Sequence, residues 1–163
     1  MATSRNVQYL GKDATGTRID DSDLSSRRQV EYFIPTAGAA IAIGDWVMLD
    51  TSATGSLKAV TVKTVTADTE VSGCVGCALS AVTADEATAG KLVQVVVRGY
   101  HSAAKVKALM AAGVTICTNG DSAGTGVAGT AYATVAATVI APCGLTLGAE
   151  SGGTAPVYVS GQF

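Results

Sequence analysis

Short Val- and Thr-rich runs, bounded by Gly, Asp or Pro, follow one another from residue 30 to the C-terminus. This pattern leaves the chain little choice but β-structure. Branching at Cβ suits Val and Thr to the pleated, half-buried surface of a sheet. Each Gly inside a helix costs about 0.8–1.0 kcal/mol relative to Ala. Ala, Val, Thr and Gly fill 87 of the 163 positions, whereas Leu, Ile, Met, Phe, Trp and Tyr together fill only 26. The pattern predicts a small, Val-rich core and a mainly β fold.

Read along the chain, residues 30–34 form a first strand ended by Pro35. Residues 41–50 form a strand entered through a turn at Gly44-Asp45. Residues 57–66 alternate, with Val60 and Val62 on one side and Thr61 and Lys63 on the other. Residues 74–79 and 92–97 are further strands, and Val95-Val96-Val97 predicts one covered on both faces. Residues 102–112 carry the only helical spacing, with Ser102 as N-cap, Gly113 after the end, and Val106, Leu109 and Met110 on one face. A glycine-rich loop at 120–129, a long strand at 132–140 and a strand at 157–159 complete the body.

The charges are unevenly spread. Residues 1–31 hold 10 of the chain's 24 charged side chains, and residues 114–163 hold only Asp121 and Glu150. The spacing divides the chain into a charged N-terminal segment, residues 1–30, and a β-rich body, residues 31–163. The segment has no sustained periodicity, and Val7, Tyr9, Leu10 and Ile19 stand apart in polar sequence. Two readings fit it: a solvated tail, or an extended arm that orders against a partner.

Within the body, two stretches resemble each other, residues 40–99 and 109–161. Ala42–Asp50 aligns with Ala111–Asn119 at an offset of 69 residues, Cys74–Leu79 with Cys143–Leu147 at 68 or 69, and Val95–Gly99 with Val157–Gly161 at 62. Two such halves predict a small barrel or sandwich that leaves few free sheet edges.

Several function classes are disfavoured. A net charge of -2 is not that of a basic nucleic-acid binder. No apolar run approaches the ~18 residues of a membrane-spanning helix, and the first residues lack the apolar stretch of a secretion signal. The single histidine, His101, excludes sites that need two, and it reads as an ordinary loop residue beside the helix. Cys74-x-x-Cys77 is the nearest approach to a metal or redox motif. Strand alternation puts the two on opposite faces, and Cys117 and Cys143 form no second close pair, so buried thiols are expected rather than a zinc site. Asp20, Asp21 and Asp23 lack the rest of a calcium loop, and residues 120–129 lack the Lys of a phosphate loop. The expectation is no enzyme, no cofactor and no metal. Trp46, the one Trp, suits either the core or an intersubunit contact. The mean hydropathy of +0.36 hints at surface covered by association.

The sequences Ile43-Gly44-Asp45-Trp46-Val47, Val75-Gly76-Cys77-Ala78-Leu79, Ala89-Gly90-Lys91 and Val95-Val96-Val97-Arg98-Gly99, in that order, resemble the capsid cement (decoration) proteins of tailed bacteriophages. The resemblance covers roughly residues 31–163. It implies a β-rich body, often trimeric, on the outside of an icosahedral shell. The expected partners are the major capsid protein and further copies of the chain, with no nucleic acid and no membrane. The protein would be made in the host cytoplasm and reside in the virion. The arm would then bind the capsid through Val7, Tyr9, Leu10 and Ile19, with Arg18, Arg27 and Arg28 supplying ion pairs. A fibre or tail module that recognises a host glycan is the alternative, although five Tyr and one Trp give it few stacking rings.

Overall fold

The computed structural model describes residues 28–65, 74–118, 126–128 and 142–161. The chain is mainly β: a closed five-stranded barrel, further strands that extend from it and, among the described residues, a single short α-helix. The barrel comprises β1 (Arg28–Pro35), β2 (Trp46–Leu49), β3 (Thr61–Thr64), β4 (Cys74–Ala78) and β5 (Val93–Lys105). Their order is β1-β3-β2-β4-β5, and β1 returns to pair with β5. One closing seam is parallel, with Ile34 N donating to Val60 O at 2.9 Å and Thr36 N to Val62 O at 2.8 Å. Closure removes the free edges that would otherwise invite pairing with other chains.

β5 is 13 residues long and joins the barrel to the strands added to it. Its first half lies between β1 and β4, and residues 98–105 pair with β9 (Thr154–Ser160). The sheet continues through β8 (Gly144–Thr146) and β6 (Thr115–Thr118) to β7 (Gly126–Ala128). Val93, Val95 and Val97 point into the barrel with Phe33, Val47, Val62 and Val75, while Val96 points the other way into a second core. The Val95-Val96-Val97 run is therefore covered on both faces, as its composition predicts. The second core is filled by Trp46, Met48, Cys77 and Val96 from the barrel wall, and by Ile116, Cys143, Val157 and Val159 from the added sheet.

The two similar stretches of sequence are wired alike. The order β3-β2-β4-β5 recurs as β7-β6-β8-β9. Trp46↔Cys77 and Val47↔Gly76 become Thr115↔Leu145 and Ile116↔Gly144. Cys77↔Val96 becomes Leu145↔Tyr158. The turns match too: Gly44 N donates to Ala78 O at 2.8 Å, and Gly113 N to Thr146 O at 2.8 Å. Both glycines have positive φ, 84° and 77°, which only Gly adopts without strain. The halves do not close one barrel between them. The first half closes on itself through β1, and residues 98–105 of β5 take the place of β1 against β9 in the second.

The helix expected over residues 102–112 is absent. Residues 102–105 continue β5, because β9 offers them an antiparallel partner with Ala104 opposite Ala155. Ala104, Val106 and Met110 are buried there. An eleven-residue helix is marginal on its own, and this tertiary pairing overrides the helical preference of Ala. The α-helix lies instead at α1 (Ala84–Thr88), started by a capping box in which Glu86 N donates to Thr83 Oγ1 at 3.2 Å and Thr83 N to Glu86 Oε2 at 3.0 Å. Among the described residues, no helix is long and apolar enough to cross a membrane. The strand expected at 132–140 lies outside the described residues.

Candidate interaction surface

The buried polar groups in the described residues hold the body together. Trp46 is fully buried, and its Nε1–H donates to Lys105 O at 2.9 Å. The ring therefore packs between barrel and added sheet and offers nothing to a neighbouring subunit, so the contact role considered for it is not available. Asp45, also buried, pairs with the Lys105 ammonium and accepts from Ala42 N at 2.7 Å. Gly44 lies directly against Ala103 O, where no side chain would fit. These contacts tie the β2 turn to the β5 extension. Asp50 accepts from Ser52 Oγ at 2.6 Å and Thr36 Oγ1 at 2.7 Å, and these bonds hold its carboxyl below the usual range.

Cys74 and Cys77 face the same core, not opposite ones. The cause is a β-bulge: Met48 pairs with Cys74 and Val47 with Gly76, so Val75 is an extra residue in β4. Cys143 joins them in that core, and all four cysteines are buried and outside any disulfide. Burial, then the neighbouring Cys74, pushes the Cys77 thiol well up, and Cys143 is raised in the same way. Such thiols are poor nucleophiles. Among the described residues, no group of three or more His, Cys, Asp or Glu is placed to hold a metal ion.

His101 is not in a loop. It is buried in β5, with Nε2 3.0 Å from Ala78 O and Nδ1 accepting from Ala103 N at 3.1 Å. A carbonyl can only accept, so Nε2 carries the proton and the ring is neutral. Burial holds its pKa below the ordinary 6.5, against the opposing pull of Ala78 O, and Arg28 lowers it further. In the window below 6.5 the unfolded chain therefore binds more protons than the folded one. Stability is full above pH 6.5 and falls as the pH drops towards the folded pKa. Urea midpoints measured from pH 8 to pH 5 are expected to decline below 6.5 in the wild type. They should decline less in His101→Gln, and equal slopes would refute this assignment.

Of the arm residues, Val7, Tyr9, Leu10, Ile19, Arg18 and Arg27 lie outside the described residues, as do Asp20, Asp21 and Asp23. Arg28 does not belong to the arm. It is the first residue of β1 and pairs with Gly99, which moves the boundary of the body from 31 to 28.

What the described residues offer a partner is exposed apolar surface. Tyr32 is 62% exposed on β1, where its hydroxyl accepts from Gln94 Nε2 at 3.0 Å. On the outer face of the added sheet, Tyr100, Tyr158, Leu145 and Thr115 stand in one row across four strands. Tyr158 and Leu145 are each 39% exposed, and the adjacent Leu147 is 49% exposed. Leu109 has a left-handed backbone (φ 66°) and is almost wholly exposed. Glu150 steadies that turn by accepting from Leu109 N at 3.0 Å and Gly153 N at 2.6 Å, bonds that lower the pKa of its carboxyl. Alternation along β8 and β9 signals this face in the sequence, but nothing there says which side faces out. No protein-family model matches the chain, and no curated protein is similar to it.

Proposed function

We propose that this chain is a structural virion protein that binds the outer surface of a tailed-phage capsid and holds neighbouring capsomers together. The observation that carries the reading is where the cement-protein-like residues fall. Gly44-Asp45 forms the turn tied to Lys105, and Gly76 lets β4 approach β5. Val95–Gly99 is the segment shared by barrel and added sheet. The similarity thus lies on positions that determine this fold, not on interchangeable small residues.

The mechanism is adhesive, and no bond is made or broken. The charged segment joins the body at Arg28, beside Gly99, where β5 passes from β1 to β9. Val7, Tyr9, Leu10 and Ile19 each contribute ~1.5–3 kcal/mol if fully buried on the capsid. Ordering the backbone costs ~1–2 kcal/mol per residue, so four anchors do not hold the segment alone. Strand addition to a capsid sheet edge and ion pairs from Arg18 and Arg27 supply the rest, and repetition over the shell adds avidity. Deleting residues 1–27 is expected to leave the thermal midpoint of the body nearly unchanged and to lower affinity for undecorated capsids at least ~100-fold. Co-sedimentation and thermal melts check both halves. Unchanged capsid binding by the truncated chain would show that the body surface carries the affinity.

A further inference from the structure

Cys74, Cys77 and Cys143 meet in the core between the barrel wall and the added sheet. Their hydrogen bonds tell them apart. Cys77 Sγ donates to Gly44 O at 3.3 Å, and Cys143 Sγ to Ile116 O at 3.5 Å. Cys74 Sγ reaches Gly76 O only at 4.0 Å, and it is in hydrogen-bond contact with the Cys143 thiol. These two cysteines hold matching places in the two similar stretches, 69 positions apart. Cys74 is the first residue of β4, and Cys143 immediately precedes β8. The end of β9 clamps them together. Ser160 N donates to Cys143 O at 2.9 Å, and Gly161 N to Val97 O at 2.9 Å. Gly161 lies so close to Val75, the neighbour of Cys74, that a Cβ there would overlap Val75 O.

We propose that Cys74 and Cys143 are a redox latch, which closes as a disulfide under oxidising conditions and fastens the barrel to the added sheet. Two sulfurs already in contact are the precondition for bridging without backbone movement. Cys77 is less suited, because a bridge from it to Cys74 would join β4 only to itself, and its thiol is held by Gly44 O. A small disulfide such as oxidised glutathione serves as the oxidant. One cysteine loses its proton and attacks a glutathione sulfur, which breaks that S–S bond and releases one glutathione thiolate. The other cysteine then loses its proton and attacks the protein sulfur of the mixed disulfide, releasing the second. Two protein thiols are oxidised, one glutathione disulfide is reduced, and the two protons end on the departing thiolates. Burial makes the step slow, since only the thiolate attacks. Both residues stand where a strand begins, and local opening there admits the oxidant. In a reducing compartment the pair stays as two thiols, and in an oxidising one it closes. The inference rests on the core geometry and does not depend on the capsid reading.

Incubating the full chain with oxidised glutathione at about pH 8, a few degrees below its thermal midpoint, tests the proposal. Alkylation under denaturing conditions is then expected to find two of the four thiols gone. Peptide mapping without reduction is expected to recover Cys74 linked to Cys143. The bridge closes a long loop, so the thermal midpoint is expected to rise by roughly 10 °C and to return on adding dithiothreitol. Cys74→Ala and Cys143→Ala are each expected to abolish the rise, and Cys77→Ala to keep it. Each variant is compared with its own reduced form, so a general loss of stability does not hide the difference. The wild-type linkage map decides the matter even where a variant fails to fold. Four alkylated thiols after oxidation, glutathione adducts without an internal bridge, or a bridge between any other pair overturns the proposal. So does a bridged chain no more stable than the reduced one.

Discussion

Gly76→Ala is expected to destabilise the body by about 3 kcal/mol or more, the upper end of what overpacking costs. A Cβ at this position would overlap Val96 O and lie 3.0 Å from Val95 Cγ1. The obstacle is backbone in the middle of β5, paired on both sides by β1 and β4, so it has nowhere to go. The adjacent bulge at Val75 already uses the local slack. Against a total stability of about 5–15 kcal/mol, such a loss leaves a marginal domain. Gly144, the matching residue in the second half, is less tightly enclosed. Its Cβ would lie 2.7 Å from Tyr158 O and 3.0 Å from Trp46 Cη2. Gly144→Ala is expected to cost about 1–3 kcal/mol, by pushing the ring of Trp46 or the edge of β8. Urea midpoints of both variants check the magnitudes and their order. A Gly76→Ala chain as stable as the wild type would mean that β4 and β5 are not packed as described.

Trp46→Ala is expected to cost about 3–5 kcal/mol, the range for emptying a large aromatic site in a core. The ring is the largest fully buried side chain, and it stands between the barrel wall and the added sheet. Trp46→Phe keeps most of the apolar volume but leaves Lys105 O without its indole donor. That loss is expected to cost about 1–3 kcal/mol. Because Trp46 is the only Trp, its fluorescence reports this interface directly: emission characteristic of an apolar site when folded, shifting to longer wavelength on unfolding. Denaturation followed by circular dichroism compares the three chains. A cost below about 1 kcal/mol for Trp46→Ala would place the ring at the surface.

The barrel was readable where side-chain chemistry is local. The Val run at 95–97 announces a doubly covered strand, and Gly44 and Gly113 mark equivalent turns. The sequence misled where a partner strand far along the chain decides the local state. Residues 102–105 have the Ala content of a helix, and only pairing with Thr154–Ser160 makes them a strand. Cys74 and Cys77 share a face because a bulge interrupts the alternation, and a one-residue insertion leaves no compositional trace. α1 was within reach: Thr83 and Glu86 have capping-box spacing, but its single buried residue, Ala87, gives no helical periodicity. The interaction surface was legible only in part. Alternation along β8 and β9 separates Leu145, Leu147 and Tyr158 from Thr146, Val157 and Val159, but the stacking of one half on the other decides which set meets solvent.

The capsid reading is tested most directly by counting this chain in purified particles made by the genome that encodes it. Quantitative mass spectrometry against the major capsid protein gives the ratio. The account predicts hundreds of copies per particle, in fixed proportion to the shell subunits. Tens of copies, the number expected of a fibre or tail component, or none at all, would contradict it.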